Sequence, residues 1–266
     1  MRRTISVRMA ATAVLLACAC SGARGNWTPY AGFDTTTAAS VGSATASLQA
    51  EAAWLTAAGA LGPIHTVDFE SMTVGTTGIS HIIAPGVRMV ASASFNPHSL
   101  TVASGPIGGG YAPINGFNST QGGQRHMHFI SGSGSVATNQ IVYFLFDQPV
   151  SAFSTFITGH GEGDGFIGPG MTTITAQPAA GGLSSTVFVN DWHTHNPNVR
   201  FAGFTDSAKG FNRATVQLRT YSSEYEWRGS FSFDDVRWVY APIPEPGALL
   251  LIAGVVPGLS LLRRRL

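Results

Sequence analysis

Ile64-His65-Thr66-Val67-Asp68-Phe69-Glu70 alternates between the two sides of an extended chain. A period of two marks a strand with one face buried, and this stretch decides how the rest of the sequence is read. Downstream, similar runs cover 86–95, 126–130, 139–147, 150–158, 171–177, 183–190, 199–204, 213–221 and 231–240, separated by clusters of Gly, Pro and Asn. Short runs at regular spacing predict an all-β chain, a single jelly-roll-like β-sandwich over residues 61–240. The 32 glycines suit many tight turns, because positive backbone φ is cheap only for Gly. Upstream, residues 26–60 are rich in Ala, Thr and Ser, and Leu48, Ala52 and Leu55 recur at helical spacing beside Trp54. One short helix over residues 47–58 is expected there, ending at Gly59 and packing on the sheet.

The two ends have another composition. Arg2, Arg3 and Arg8 precede an apolar run, Met9 to Cys20, and Ala23-Arg24-Gly25 supplies small residues before Asn26. A basic start, a short apolar stretch and a small-residue exit predict a secretory signal peptide over residues 1–25, cut by signal peptidase. Both cysteines, Cys18 and Cys20, lie inside it, so the expected mature chain has no disulfide and no thiol chemistry. Seven of the 15 basic residues sit in the two ends, whereas all 14 acidic residues lie between Asp34 and Glu245. Eight basic residues then face fourteen acidic ones, and nucleic-acid binding, which needs a basic footprint, is not expected.

At the other end, Pro242-Ile243-Pro244-Glu245-Pro246-Gly247 is followed by an apolar run to Leu262 and then by Arg263, Arg264 and Arg265. The prolines break regular structure. The run after them gives a helix of roughly 23 Å, slightly short for a bilayer and extendable by snorkelling of Arg263. An arginine cluster places its end in the cytoplasm, so a single transmembrane helix with the β domain outside is expected. Pro244-Glu245-Pro246, an apolar helix and a terminal Arg cluster resemble the PEP-CTERM sorting signal of Gram-negative bacteria, here residues 241–266. The resemblance implies that an exosortase in the inner membrane reads the tripeptide and processes the tail. It further implies a cell-surface or extracellular-matrix location in bacteria that make extracellular polysaccharide and biofilm. The phrases Val67-Asp68-Phe69-Glu70, Phe201-Ala202-Gly203-Phe204 and Phe233-Asp234-Asp235-Val236 look like the jelly-roll modules of such proteins, similar in outline to carbohydrate-binding modules.

Candidate chemistry falls into three groups. Asp68, Glu70, Asp234 and Asp235 come from the first and last strands, which often lie adjacent in a jelly roll; clustered carboxylates suit a structural Ca²⁺, and the alternative is that alternation points some of them to solvent. His126 with His128, and His193 with His195, are i, i+2 pairs that can present two imidazoles on one strand face to zinc or copper, with His160, Glu162 or Asp164 as further donors. Tyr221, Tyr225 and Trp227 can stack on sugar rings, although core packing is the commoner use, of Trp227 at least. The loop Gly159–Gly165 lacks the Lys-Ser/Thr of a phosphate loop, and neither Glu162 with Asp164 nor Glu224 with Glu226 is singled out as a glycosidase pair. The sequence therefore predicts a non-enzymatic structural or adhesion protein of the cell surface or matrix. The alternative is a carbohydrate-binding module for matrix polysaccharide, and a secreted hydrolase comes third.

Overall fold

The computed structural model describes residues 27–35, 41–92, 99–106, 116–130, 139–159, 169–178, 184–192, 198–207, 210–219 and 231–242. The expected signal peptide and the tail from Ile243 onward lie outside the described residues. Among the described residues no helix is long and apolar enough to cross a membrane.

The described chain is mostly β-sheet with one helix. Its strands are β1 (Trp27–Thr35), β2 (His65–Val67), β3 (Thr77–Gly78), β4 (Ser80–Ala84), β5 (Val87–Ala91), β6 (Ser99–Ser104) and β7 (Arg125–Ile130). Then follow β8 (Asn139–Thr158), β9 (Pro169–Pro178), β10 (Ser185–Trp192), β11 (Asn198–Asp206), β12 (Phe211–Arg219) and β13 (Phe231–Tyr240). The helix α1 spans Thr45–Gly59.

The 20-residue β8 organises everything else. Its first half pairs with β5 on one side and β12 on the other, and β4, β9 and β10 extend that layer into the order β4-β5-β8-β12-β9-β10. Its second half, beyond Pro149, pairs with β11 and β13, giving a second layer in the order β1-β11-β8-β13-β7-β6-β3, with β2 also on β13. All these pairings are antiparallel. The two layers face each other across an aromatic core: Phe144 lies 4.9 Å from Phe153 and 5.5 Å from Phe233 between ring centroids, and Phe146 packs against Phe153, Phe211 and Trp238. In the first half of β8, Val142, Phe144 and Phe146 are buried while Ile141, Tyr143 and Leu145 are only half-buried, which is the alternation a one-sided strand requires.

The outside of the second layer is covered at its centre, by α1 over β1 and β11 and by residues 116–120 over β13. Ser47, Trp54 and Ala58 form the helix's buried stripe, rather than the Leu48–Ala52–Leu55 stripe expected from spacing; Leu48 and Leu55 flank it half-buried and Ala52 is exposed. Trp54 packs against Phe201 at 6.4 Å, and its indole N–H donates to the Phe204 carbonyl at 3.2 Å. Gly203 permits this approach, since a Cβ there would stand 3.0 Å from the Trp54 ring and 2.6 Å from Ser154. The helix start carries no capping side chain of its own. Asp34, at the end of β1, supplies the cap: its two carboxylate oxygens accept from the Ala46 and Ser47 N–H groups at 3.0 and 2.7 Å. Strand β1 therefore belongs to the sheet and docks the helix, although the sequence reading gave residues 26–60 only a helix.

Candidate functional site

The acidic candidates divide into two anchors that hold one crossing segment. Asp234 opposes Phe156, but Arg237 opposes Ser154, so β13 carries one extra residue between these points. Asp235 takes that place with φ 48°, and a bulge of this kind turns two neighbouring carboxylates toward one side. Both meet the segment 116–120, which crosses the outer face of β13. Oδ2 of Asp234 accepts from the Ser119 N–H at 2.6 Å, the Thr120 N–H at 3.0 Å and both hydroxyls at 3.0 and 3.2 Å. Asp235 accepts from the Thr120 hydroxyl at 3.0 Å and is ion-paired to Arg237, which also reaches Glu51 of α1 at 2.7 Å. The segment lies so close that a Cβ on Gly116 would stand 2.0 Å from the Ser232 hydroxyl.

Asp68 and Glu70 lie just beyond the end of β2, not within a strand, in a turn where Phe69 has φ 61°. Asp68 Oδ1 accepts from the Glu70 N–H. Oε1 of Glu70 accepts from Asn118 Nδ2 at 2.9 Å and from the Gln124 and Arg125 N–H groups at 2.7 Å each. The pairing of β2 with β13 does bring the two ends of the β region together. The carboxylates nevertheless act as separate hydrogen-bonded anchors, and among the described residues no three His, Cys, Asp or Glu side chains form a group that could hold an ion. Among the described residues this donor set does not make a calcium cage, whose oxygens must converge at about 2.3–2.6 Å.

Asp234 is almost fully buried, and burial, with the Asp235 carboxylate beside it, lifts its pKa to about 7 against the opposing pull of the Ser119, Asp235 and Thr120 N–H groups. Its other oxygen, Oδ1, is buried without a hydrogen-bond partner, as is Asn118 Oδ1.

His126 and His128 share the outer face of β7, with Met127 and Phe129 turned into the core. Their rings lie 6.3 Å apart. His128 Nδ1 is 3.1 Å from the Ser232 hydroxyl, whereas neither ring nitrogen of the fully buried His126 has a partner. Burial lowers both pKa values to about 4, with Glu70 opposing at His126 and His126 adding at His128. Both imidazoles are thus neutral at pH 7. No third acidic or histidine side chain joins them among the described residues. His193, His195, His160, Glu162, Asp164, Tyr221, Tyr225, Trp227, Glu224, Glu226, the Pro244-Glu245-Pro246 tripeptide and Arg263 to Arg265 lie outside the described residues.

The sequence reading missed the outer face of the first layer. Cross-strand register sets its side chains in rows. One row runs Phe188, Thr173, Gln217, Ile141; the next runs Thr186, Thr175, Thr215, Tyr143, Val90; a third runs Gln177, Arg213, Leu145, Arg88, Ile82. Among the described residues no element packs on this face, in contrast to the helix-covered second layer. Phe188 is 57% exposed and Ile82 73% exposed, although both sit in regular strands. The Arg213 guanidinium carbon lies 5.4 Å from the centroid of the Tyr143 ring, a cation–π arrangement beside the threonine row. The face thus combines an exposed aromatic ring, a row of hydroxyls, two amides and two guanidinium groups. Val187-Phe188-Val189 reads as a continuous apolar run, so nothing in the sequence distinguished Phe188 from a core residue.

No family model and no curated protein matches the chain. Among solved structures it is similar to the CBM22-1–GH10 modules of a Clostridium thermocellum endo-1,4-β-D-xylanase 10B complexed with xylohexaose (14% identity, TM-score 0.35, covering 66% of this chain and 28% of that one). It is also similar to TmCBM61 in complex with β-1,4-galactotriose (13%, 0.31, 66% and 95%) and to the CBM22-1 xylan-binding domain of Paenibacillus barcinonensis Xyn10C (11%, 0.30, 65% and 100%). At such scores these likenesses say nothing of this chain's ligand.

Proposed function

We propose that this chain is an exported carbohydrate-binding β-sandwich that attaches to extracellular polysaccharide through the outer face of its first layer. The observation that carries this reading is the asymmetry of the two layers: the centre of one is covered by α1 and residues 116–120, and the other presents Phe188 beside rows of hydroxyl and amide groups. A sugar ring offers an apolar CH face and a rim of hydroxyls, which an exposed aromatic ring and neighbouring Thr and Gln side chains complement. Tyr221, Tyr225 and Trp227 lie outside the described residues and belong to the same proposal only as aromatic side chains able to stack on sugar rings. We assign the chain no catalytic role.

A glycan array probed with the full chain distinguishes this reading from a purely structural or adhesive surface protein. Selective binding to a class of oligosaccharides is expected; an array without bound glycans returns the structural reading to first place.

The location is a separate part of the proposal. The signal peptide, the Pro244-Glu245-Pro246 tripeptide and the arginine-capped apolar tail support export, inner-membrane retention and exosortase processing to the cell surface or matrix. Glu245→Ala is expected to leave the tail attached and the protein in the inner membrane. Equal tail removal in wild type and variant would show that the tripeptide is not read.

A further inference from the structure

The arginines of the described chain, Arg219 at the end of β12 aside, fall into two groups. Arg125 donates to the backbone carbonyls of Glu70 and Met72 at 2.6 and 2.7 Å. Arg200 is buried beside Asn198 and lies over the Phe33 ring, and Arg237 is paired with Glu51 and Asp235. These three hold the fold together. The remaining two, Arg88 and Arg213, share one row of the open face, separated by Leu145, which sets them two strand spacings or about 10 Å apart. Neither makes an ion pair with a carboxylate among the described residues. Arg88 is exposed, and Nε of Arg213 is buried without a hydrogen-bond partner, with its guanidinium carbon over the Tyr143 ring.

We infer that the open face takes an acidic polysaccharide, one whose sugar carboxylates are met by Arg213 and Arg88. This deepens, and rests on, the carbohydrate-binding reading. A guanidinium presents parallel N–H donors that match a carboxylate, and an arginine already laid on an aromatic ring loses less side-chain freedom when it pairs. The charge pattern favours the same ligand. Between Asp34 and Glu245 the chain holds fourteen acidic residues and eight basic ones, of which one is a lysine, so two arginines in one row of an open face without a carboxylate partner among the described residues run against the average. Such a pair is a local attraction for anions on a domain that otherwise repels them. Phe188, in the row at the other side of the threonines, provides stacking that does not depend on charge.

Affinity electrophoresis of the full chain with polygalacturonate, and with the same polymer methyl-esterified, tests the inference. The ester retains the sugar backbone and removes the carboxylates. Wild type is expected to bind the acid form at least tenfold more tightly, with the difference shrinking as salt is raised. Arg213→Gln and Arg88→Gln are each expected to lose most of that difference while still binding the ester; Arg213→Lys, which keeps the charge without the fork, recovers only part. Phe188→Ala is expected to weaken binding to both polymers. Since Arg88 is exposed, Arg88→Gln reports even if the half-buried Arg213 site tolerates change poorly. Equal, Phe188-dependent binding of acid and ester overturns the acidic-ligand inference and leaves the carbohydrate-binding reading intact. Absence of binding to either polymer overturns the inference, and the glycan array decides the broader reading independently. Acid binding that survives in Phe188→Ala and is matched by vesicles of phosphatidylglycerol overturns both, since charge alone would then explain it.

Discussion

At the level of single residues, the outer face of β13 and β7 stores opposing proton equilibria. His126 and His128 titrate near 6.5 in an open chain and near 4 when folded, so the unfolded chain takes up protons first as pH falls. Their contribution is complete above about pH 6.5 and is lost between there and pH 4, on the order of 3 kcal/mol for each ring. Asp234 runs the other way. Its folded value of about 7 lies above the free value of 3.8, so the folded chain holds the proton more tightly. That contribution is complete below about pH 4 and is lost as pH rises to 7. Replacing Asp234 with Asn removes the second dependence. Urea unfolding at pH 5 and pH 8 is therefore expected to show the variant gaining on wild type by on the order of 2 kcal/mol across that interval. A constant offset at the two pH values would mean that Asp234 is ionised in the folded chain throughout. None of this burial could be read from the sequence, where Asp234 and Asp235 are simply adjacent acids. The bulge that turns both outward depends on the pairing with β8, which is far away along the chain.

At the level of elements, α1 is a docked lid on the second layer, and Trp54 is its anchor. Trp54→Ala removes a fully buried ring and an indole hydrogen bond, and should destabilise by about 3–5 kcal/mol in denaturant titration, with the slope unchanged. A loss below about 1 kcal/mol would mean that the helix is not packed on β11. The presence of this helix and its limits were legible to within two residues, because Ala-rich spacing between two Gly- and Pro-bearing stretches is a local signal. Its buried stripe was not legible. Alanines on several sides blur the amphipathic pattern, and it is the sheet that selects Ser47, Trp54 and Ala58. Strand β1 was missed for a related reason. Trp27-Thr28-Pro29-Tyr30-Ala31-Gly32-Phe33 mixes Pro and Gly into the run, yet a strand paired on one side, here with β11, tolerates a proline that a central strand would not.

At the level of the whole molecule, the mostly β composition with one preceding helix followed directly from period-two runs and turn residues. The division into layers did not. Residues 139–147 and 150–158 read as two strands, and the chain joins them into one long β8 that changes partners at Pro149 and so belongs to both layers. That change of layer fixes which faces are sealed and which is open, and it is the origin of the proposed binding face. The sequence pointed to Tyr221, Tyr225 and Trp227 for glycan contact because aromatics stand out in a polar stretch. Phe188, Tyr143 and Arg213 come from three strands and converge only through register.

Calorimetric titration of the oligosaccharide bound best on the array, into wild type and Phe188→Ala, reads what the exposed ring contributes to binding. At least a tenfold loss of affinity is expected in Phe188→Ala, about 1.4 kcal/mol, with an unchanged melting temperature because the ring is exposed. Wild-type affinity in Phe188→Ala would contradict it and move the ligand off the first layer's outer face.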